Sequence, residues 1–249
     1  MTPEVSVIIP CYNAEATIDR CINSVLSQSF ESFEILVVDD ASSDGTLSRV
    51  ESYDDPRLRI LELESNSGSP AEPRNAGLRE AQGSFIAFLD SDDFWEAEKL
   101  LKQVQFMKES SCQFSCTDYT VRDETGNEHV REARAEAVLN DLLALNTIGC
   151  STVMISRDLI SGFEFEDRPH EDFDMWLRIL KQGNIVYGLN EALTTYSKGK
   201  TSRSRLSIGN LIGFHALFRF HGEVGSLGAF MMMARYLLKK RSQSTQRKA

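Results

Sequence analysis

Four times in the first ninety residues an apolar run ends in polar residues, and helical spacing follows between the runs. This alternation constrains the fold more than any other feature of the chain. Residues 5–9, VSVII, are mostly β-branched and stop at Pro10, as a fully buried strand does. Ile18, Cys21, Ile22, Val25 and Leu26 then follow helical spacing. Residues 33–38 give a second strand, followed by the Asp44-Gly45 turn and a short helix. RLRILEL reads as a third strand, residues 70–82 as a helix stopped by Gly83, and residues 85–89 as a fourth strand. The class this predicts is α/β, a mostly parallel central sheet flanked by helices on both faces. Ligands on such sheets bind beyond the carboxyl ends of the strands. Polar residues collect at those ends here: Asn13, Asp39 and Asp40, Asn66, then Asp90 and Asp92.

The fourth end is the most acidic. In FIAFLDSDDFW, residues 85–95, the strand runs into Asp90, Ser91, Asp92 and Asp93. Carboxylates gathered there repel one another and are costly to desolvate. Side chains two residues apart on an extended chain point the same way, so Asp90 and Asp92 can face one site. A hard divalent cation, Mg²⁺ or Mn²⁺, takes a few carboxylates together with phosphate oxygens and water. It would remove the repulsion and join an acidic protein, of formal net charge −10, to an anionic ligand. The same charge argues against nucleic acid as a partner.

Beyond Trp95 the pattern is less regular. Residues 98–109 read as a helix, 114–121 as a strand, Gly126 as a turn and 151–155 as another strand. Phe173, Trp176, Leu177 and Leu180 mark a helix ended by Gly183. From about Ile208 the chain reads as helical, with a break between Gly222 and Gly228, a Met-rich apolar surface and a basic tail. That tail suits docking on an anionic membrane. Five cysteines without framework spacing suggest free thiols in a reducing compartment. The first residues lack a basic leader, and no run approaches a membrane span, so the expected place is the cytoplasm or the inner face of the cell membrane. GKTS at 199–202 imitates the end of a phosphate-binding Walker loop, but Thr194 stands where its first glycine belongs.

Three stretches, VSVIIPCYNAEATIDRCINSVLSQSFESFEILVVDDASSDGT, NSGSPAEPRNAGLREAQGSFIAFLDSDDFW and EDFDMWLRI, together resemble a family 2 glycosyltransferase of the GT-A fold. The resemblance implies a metal-dependent, inverting, hexosyltransferase-type enzyme of bacterial polysaccharide type. Its donor would be a nucleotide-sugar, UDP-sugar favoured, and its acceptor a saccharide or lipid-linked saccharide. Pro10 and Tyr12 would flank the base, Asp40 would accept a hydrogen bond from it, and Asn13, Asp39, Arg74 and Ser91 would complete the nucleotide site. Asp90 and Asp92 correspond to the metal-binding DxD motif. Asp172 matches the catalytic base, with Glu171 as the alternative, and Asp174 and Trp176 would line the acceptor pocket. Lys198, Lys200 and Arg203 would close over the diphosphate, where the family commonly has a metal-binding histidine. The implied organisation is a glycosyltransferase domain over 1–207, with a nucleotide-sugar half (1–95) and an acceptor half (96–207), followed by a helical segment with a basic tail (208–249).

Plainer readings stand beside these. Asp39 and Asp40 could shape a turn, Asp93 could cap the helix after Glu96, and Glu171 and Asp172 could be an acidic first helical turn. Trp176 could be core, and His170 is the histidine beside the acidic pair. A non-catalytic nucleotide or sugar binder, or a sugar nucleotidyltransferase, are the other classes this sheet serves; PCYNAEAT lacks the glycine-rich basic loop the latter needs.

Overall fold

The computed structural model describes residues 2–197 and 208–246, with the side chains of Ile208 and residues 240–246 excepted. Ten strands form one sheet: β1 (Val5–Cys11), β2 (Phe33–Asp39), β3 (Leu58–Glu62), β4 (Phe85–Phe88), β5 (Phe94–Trp95), β6 (Phe114–Arg122), β7 (Glu128–Arg131), β8 (Glu136–Ala137), β9 (Met154–Ser156) and β10 (Val186–Ser197). The helices are α1 (Ile18–Leu26), α2 (Thr46–Glu51), α3 (Ala71–Glu80), α4 (Lys99–Glu109), α5 (Leu139–Ala144), α6 (Arg157–Ile160), α7 (Glu171–Lys181), α8 (Ile208–His221) and α9 (Ser226–Gln246).

The strand order is β3-β2-β1-β4-β9-β6-β10-β5, with β7 beside β6 and β8 beside β10. β1 to β4 are mutually parallel, as their alternation with helices predicts. β9 then runs antiparallel to β4 and β6, while β10 is parallel to β6. The chain thus reverses its order of strand addition at β1, the switch point where doubly wound sheets open a crevice. Pro10 sits in that opening. β4 pairs with β1 only as far as Ile8, whose carbonyl accepts from Leu89 N at 3.0 Å. Pro10 is the next residue facing that side, so its missing N–H removes no ladder bond.

Every residue of β1 and β2 is buried, which explains their unbroken apolar runs. Alternate side chains serve two cores. Val7, Ile9 and Val37 pack with α1 and α4, while Ile8, Leu36 and Phe88 pack with α3, α5, α7, α8 and α9. Gly77 lets α3 lie close on β1, because a Cβ there would meet Ile8 Cγ2 at 2.5 Å. That approach holds the first turn of α3, with Arg74, at the carboxyl rim of the sheet.

The C-terminal helices belong to this second core. Phe214, Phe218 and Tyr236 stack among themselves and against Phe173 of α7. Trp176 is fully buried against Phe88, Phe114 and Phe165. It therefore cannot stack on an acceptor sugar, and the core reading of its helical spacing is the one the fold adopts. Burying a large aromatic of this kind stabilises by about 1.5–3 kcal/mol.

Candidate active site

The loop after β1 and the loop after β2 are fastened to each other. Asn13 takes a left-handed backbone (φ 49°) and its side-chain oxygen accepts from Ser43 N at 2.8 Å. Ser42 Oγ accepts from Asn13 N at 3.0 Å and donates to Asp39 Oδ1 at 2.5 Å. Asp39 Oδ2 takes the Ser42 N–H at 2.9 Å, so this carboxylate shapes the turn. Ala41 is left-handed as well, at φ 55°, a conformation an alanine holds only where its surroundings impose it. Asp40 reaches the third strand end: Ser67 N and Ser67 Oγ donate to its two oxygens, each at 2.9 Å. Tyr12 stands 48% exposed beside these buried aspartates, an open aromatic face at the mouth of the crevice.

A tight turn follows β4, closed by Asp93 N donating to Asp90 O at 2.9 Å. Ser91 is half-buried in it and Asp92 reaches solvent. Asp93 is fully buried and accepts from Ser151 Oγ at 2.6 Å and Ser197 N at 2.9 Å. It does not cap the next helix, which begins at Lys99; it ties the DxD turn to the end of β10. Burial first, then the charges of Asp92 and Asp90, push its carboxyl well above the usual range. Partial loss of water, then the charge of Asp90, lift Asp92 to about 6. Arg20 braces the same turn, donating to the Asp92 carbonyl at 2.7 Å and Ser197 Oγ at 2.9 Å. Lys198, Lys200 and Arg203 lie outside the described residues, beyond that anchored Ser197.

Arg74 is the hinge of the arrangement. Its Nη2 donates to Asp90 Oδ1 at 2.6 Å and its Nη1 to Glu171 Oε1 at 2.8 Å. The guanidinium is 3% exposed and lies 5.3 Å from the Phe165 ring centroid. It was expected to face the nucleotide. Buried with both terminal nitrogens on carboxylates, it instead joins the DxD turn to the start of α7. Phe165 is itself held by Asn75, which accepts its N–H at 2.8 Å and donates to its carbonyl at 2.9 Å.

α7 opens at His170, left-handed at φ 62° and stacked 4.0 Å from the Phe214 ring of α8. Its first turn carries Glu171 and Asp172, where a helix favours negative charge. Asp172 Oδ1 accepts only from the Phe173 N–H, at 2.7 Å, among the described residues. Burial first, then the Glu171 charge, raise its carboxyl to about 7, with Arg74 pulling the other way. Asp174 has another fate. It is fully buried and held by Arg178 at 2.8 Å, Arg168 at 3.2 Å and His221 at 2.9 Å. So engaged, it cannot line an open acceptor pocket.

Asp90, Asp92, Glu171 and Asp172 therefore meet on one rim with Arg74 between them. No group of three or more metal-ligating side chains is preassembled among the described residues. Two carboxylates at the DxD turn still suit Mg²⁺ or Mn²⁺, which takes one or two protein carboxylates beside substrate phosphates. The raised Asp92 carboxyl marks negative charge that a cation would relieve. Ser151, Arg20, Asn75 and Ser67 carry no signal of these roles in the sequence: each works through a partner 27 or more residues away, and nothing local marks them.

At the switch point the fold thus places a crevice with an acidic turn and a raised carboxylate on its rim. The glycosyl transferase family 2 model matches residues 6–159, and the chain belongs to that family. It is 43% identical over 199 residues to the putative teichuronic acid biosynthesis glycosyltransferase TuaG of Bacillus subtilis (strain 168), covering 78% of this chain and 79% of that one. It is 41% identical to the Escherichia coli enzyme named UDP-Glc:alpha-D-GlcNAc-diphosphoundecaprenol beta-1,3-glucosyltransferase WfgD, over 73% of this chain and 71% of that one. Among solved structures, S. aureus TarS 1-349 in complex with UDP-GlcNAc superposes with a TM-score of 0.75 at 25% identity, covering 94% of this chain and 71% of that one. The fold is shared too by the Pyrobaculum calidifontis mannosyltransferase PcManGT in complex with GDP-Man and Mn2+, with a TM-score of 0.70 at 20% identity, over 95% of this chain and 70% of that one.

Proposed function

We propose that this transferase moves a sugar from a UDP-sugar to a hydroxyl of a lipid-linked saccharide, with inversion at the anomeric carbon. The observation that carries the reading is the Arg74 bridge, which sets the DxD turn and the start of α7 within one guanidinium of each other. Donor and base functions then share one rim. The names of the relatives, one with a UDP-Glc donor and a diphosphoundecaprenol-linked acceptor, support the substrate class.

In this reading residues 1–95 are the donor half and 96–207 the acceptor half. Tyr12 and Pro10 flank the base, and Asp40 accepts from its imide N–H through lone pairs that Ser67 leaves free. Asp90 and Asp92 would hold a Mg²⁺ or Mn²⁺ ion, which would supply charge stabilisation for the departing diphosphate. Asp172 takes the proton of the acceptor hydroxyl as its oxygen attacks the anomeric carbon, and the bond to the diphosphate breaks on the opposite face. One base and one displacement invert an α-linked donor to a β product. Asp172 is preferred to Glu171 because Glu171 is paired with Arg74, whereas Asp172 has no ion-pair partner among the described residues and its carboxyl is raised to about 7, where a base is most effective.

The test is calorimetric titration with UDP and GDP, with and without Mn²⁺, beside an Asp92→Ala variant. Mn²⁺-dependent binding of UDP, lost in the variant, is expected. Metal-independent binding would remove the cation from the account, and a preference for GDP would overturn the role of Asp40.

A further inference from the structure

α9 is apolar on two opposite sides. Ala229 and Tyr236 are buried, with Met232, Met233 and Leu237 packed beside them on the core. Leu227, Phe230, Met231 and Leu238 recur at intervals of three, four and eleven residues from the first, and so form one outward stripe. They are 74%, 56%, 54% and 68% exposed. α8 adds Ile212 and Phe220, so six of the ten exposed large hydrophobic side chains among the described residues lie on these two helices. A soluble surface rarely exposes a stripe like that of α9 without a partner for it.

Charge identifies the kind of surface that covers them. Residues 208–249 hold seven Lys and Arg against a single acid, Glu223, whereas residues 1–207 hold 20 basic and 36 acidic residues. α9 itself has no acidic residue, and Arg235 and Lys239 stand on it beside the stripe. An apolar stripe flanked by cations on an otherwise acidic protein fits a lipid surface bearing negative headgroups. We infer that the outer face of α9 docks on an anionic membrane, with the stripe among the acyl chains and the cations at the headgroups.

The docked helix is joined to the site through α8. His221 of α8 donates to Asp174 of α7 at 2.9 Å, and Phe214 stacks on His170 at the start of α7. Gly213 passes so close to Pro169 that a Cβ would come within 2.6 Å of it. The pair is thus fastened to the helix that carries Glu171 and Asp172. No helix among the described residues is long and apolar enough to cross a membrane; in the acceptor reading, docking brings the site to a lipid-linked saccharide. Only this purpose rests on the acceptor reading; the surface stands on its own residues.

Flotation of the whole protein with vesicles tests it. Vesicles of phosphatidylcholine with phosphatidylglycerol should carry the protein at low salt and release it as NaCl is raised, and pure phosphatidylcholine should not carry it. Leu227→Asp with Phe230→Asp should weaken binding about tenfold or more. Arg235→Glu with Lys239→Glu should weaken it about fivefold per residue. All these side chains point to solvent, so melting temperature and UDP binding should stay unchanged. Absence of binding to the anionic vesicles overturns the inference, as does binding that the Asp variant leaves intact. A stable dimer that the Asp variant dissociates, without vesicle binding, would assign the face to a second copy. UDP titration needs no vesicle and flotation needs no donor, so failure of one is distinct from failure of the other.

Discussion

Asp172 and Asp174 sit two residues apart on α7, yet the fold treats them in opposite ways. Asp172 lies at the rim with a backbone N–H and a neighbouring glutamate, and its carboxyl is raised to about 7. Burial pushes Asp174 up as well, but hydrogen bonds from His221 and Arg178, then the charges of Arg178 and Arg168, outweigh it and leave its carboxyl below the ordinary value. A buried carboxylate surrounded by donors is held ionised and serves the structure. One left short of them is costly to ionise, and is available for a proton. At the other strand ends the partners differ in the same way: both Asp39 oxygens are taken up by Ser42, whereas Asp92 reaches solvent.

The sharpest way to break this comparison is to neutralise each member. Asp172→Asn should lower kcat by about 10²–10⁴-fold in a sugar-transfer assay. Its melting temperature should not fall. A raised carboxyl means that the ionised form, present above about 7, opposes folding, so removing that charge relieves the native state. Asp174→Ala should do the reverse. It strands Arg178 and His221 and should cost roughly 3 kcal/mol, a fall in Tm of about 6–12 °C in a thermal melt of a chain this size. Equal loss of stability in both variants would erase the distinction.

The pH profile refines it. With Asp172 as the proposed base its ionised form is the active one, so kcat/KM should rise with pH through about 7 and level off above it. Arg74→Met removes a positive charge that favours ionisation, so the rising limb should move to higher pH while UDP affinity weakens. A limb that stays in place would mean that another group is titrating. The smallest effect is expected at Ala41. Glycine there removes left-handed strain of about 1 kcal/mol, and a rise in Tm of roughly 2–4 °C is expected.

Much of the rim was legible because strands and their ends are local. The apolar runs of β1, β2 and β4 announce burial on both faces, and the polar residue that ends each run marks the edge of the sheet. Asp90 and Asp92 were legible from their place at the end of β4, but the extended-chain period that pairs them does not hold there, because the chain turns at Ser91 and Asp92. The acidic start of α7 was readable too, as the adjacent carboxylates Glu171 and Asp172 ahead of a helical pattern. What faces those residues was not. Trp176 obeys helical spacing with Phe173 and Leu180, but spacing cannot say whether a helix face meets a pocket or the rings of Phe88 and Phe114. Asp93 resembles a helix cap by position, yet Ser151 and the N–H of Ser197 claim it from 58 and 104 residues away.

By itself, then, the chain's sequence determined the parallel half of the sheet and the polar, largely acidic residues at its strand ends, because hydrophobic period and strand-end polarity act over a few residues. Tertiary structure alone decided which carboxylates are paired and which are left to titrate. Arg74 reaches Glu171 across 97 residues and His221 reaches Asp174 across 47. A carboxylate's water and its cations depend on packing, and packing brings together residues that no local pattern connects.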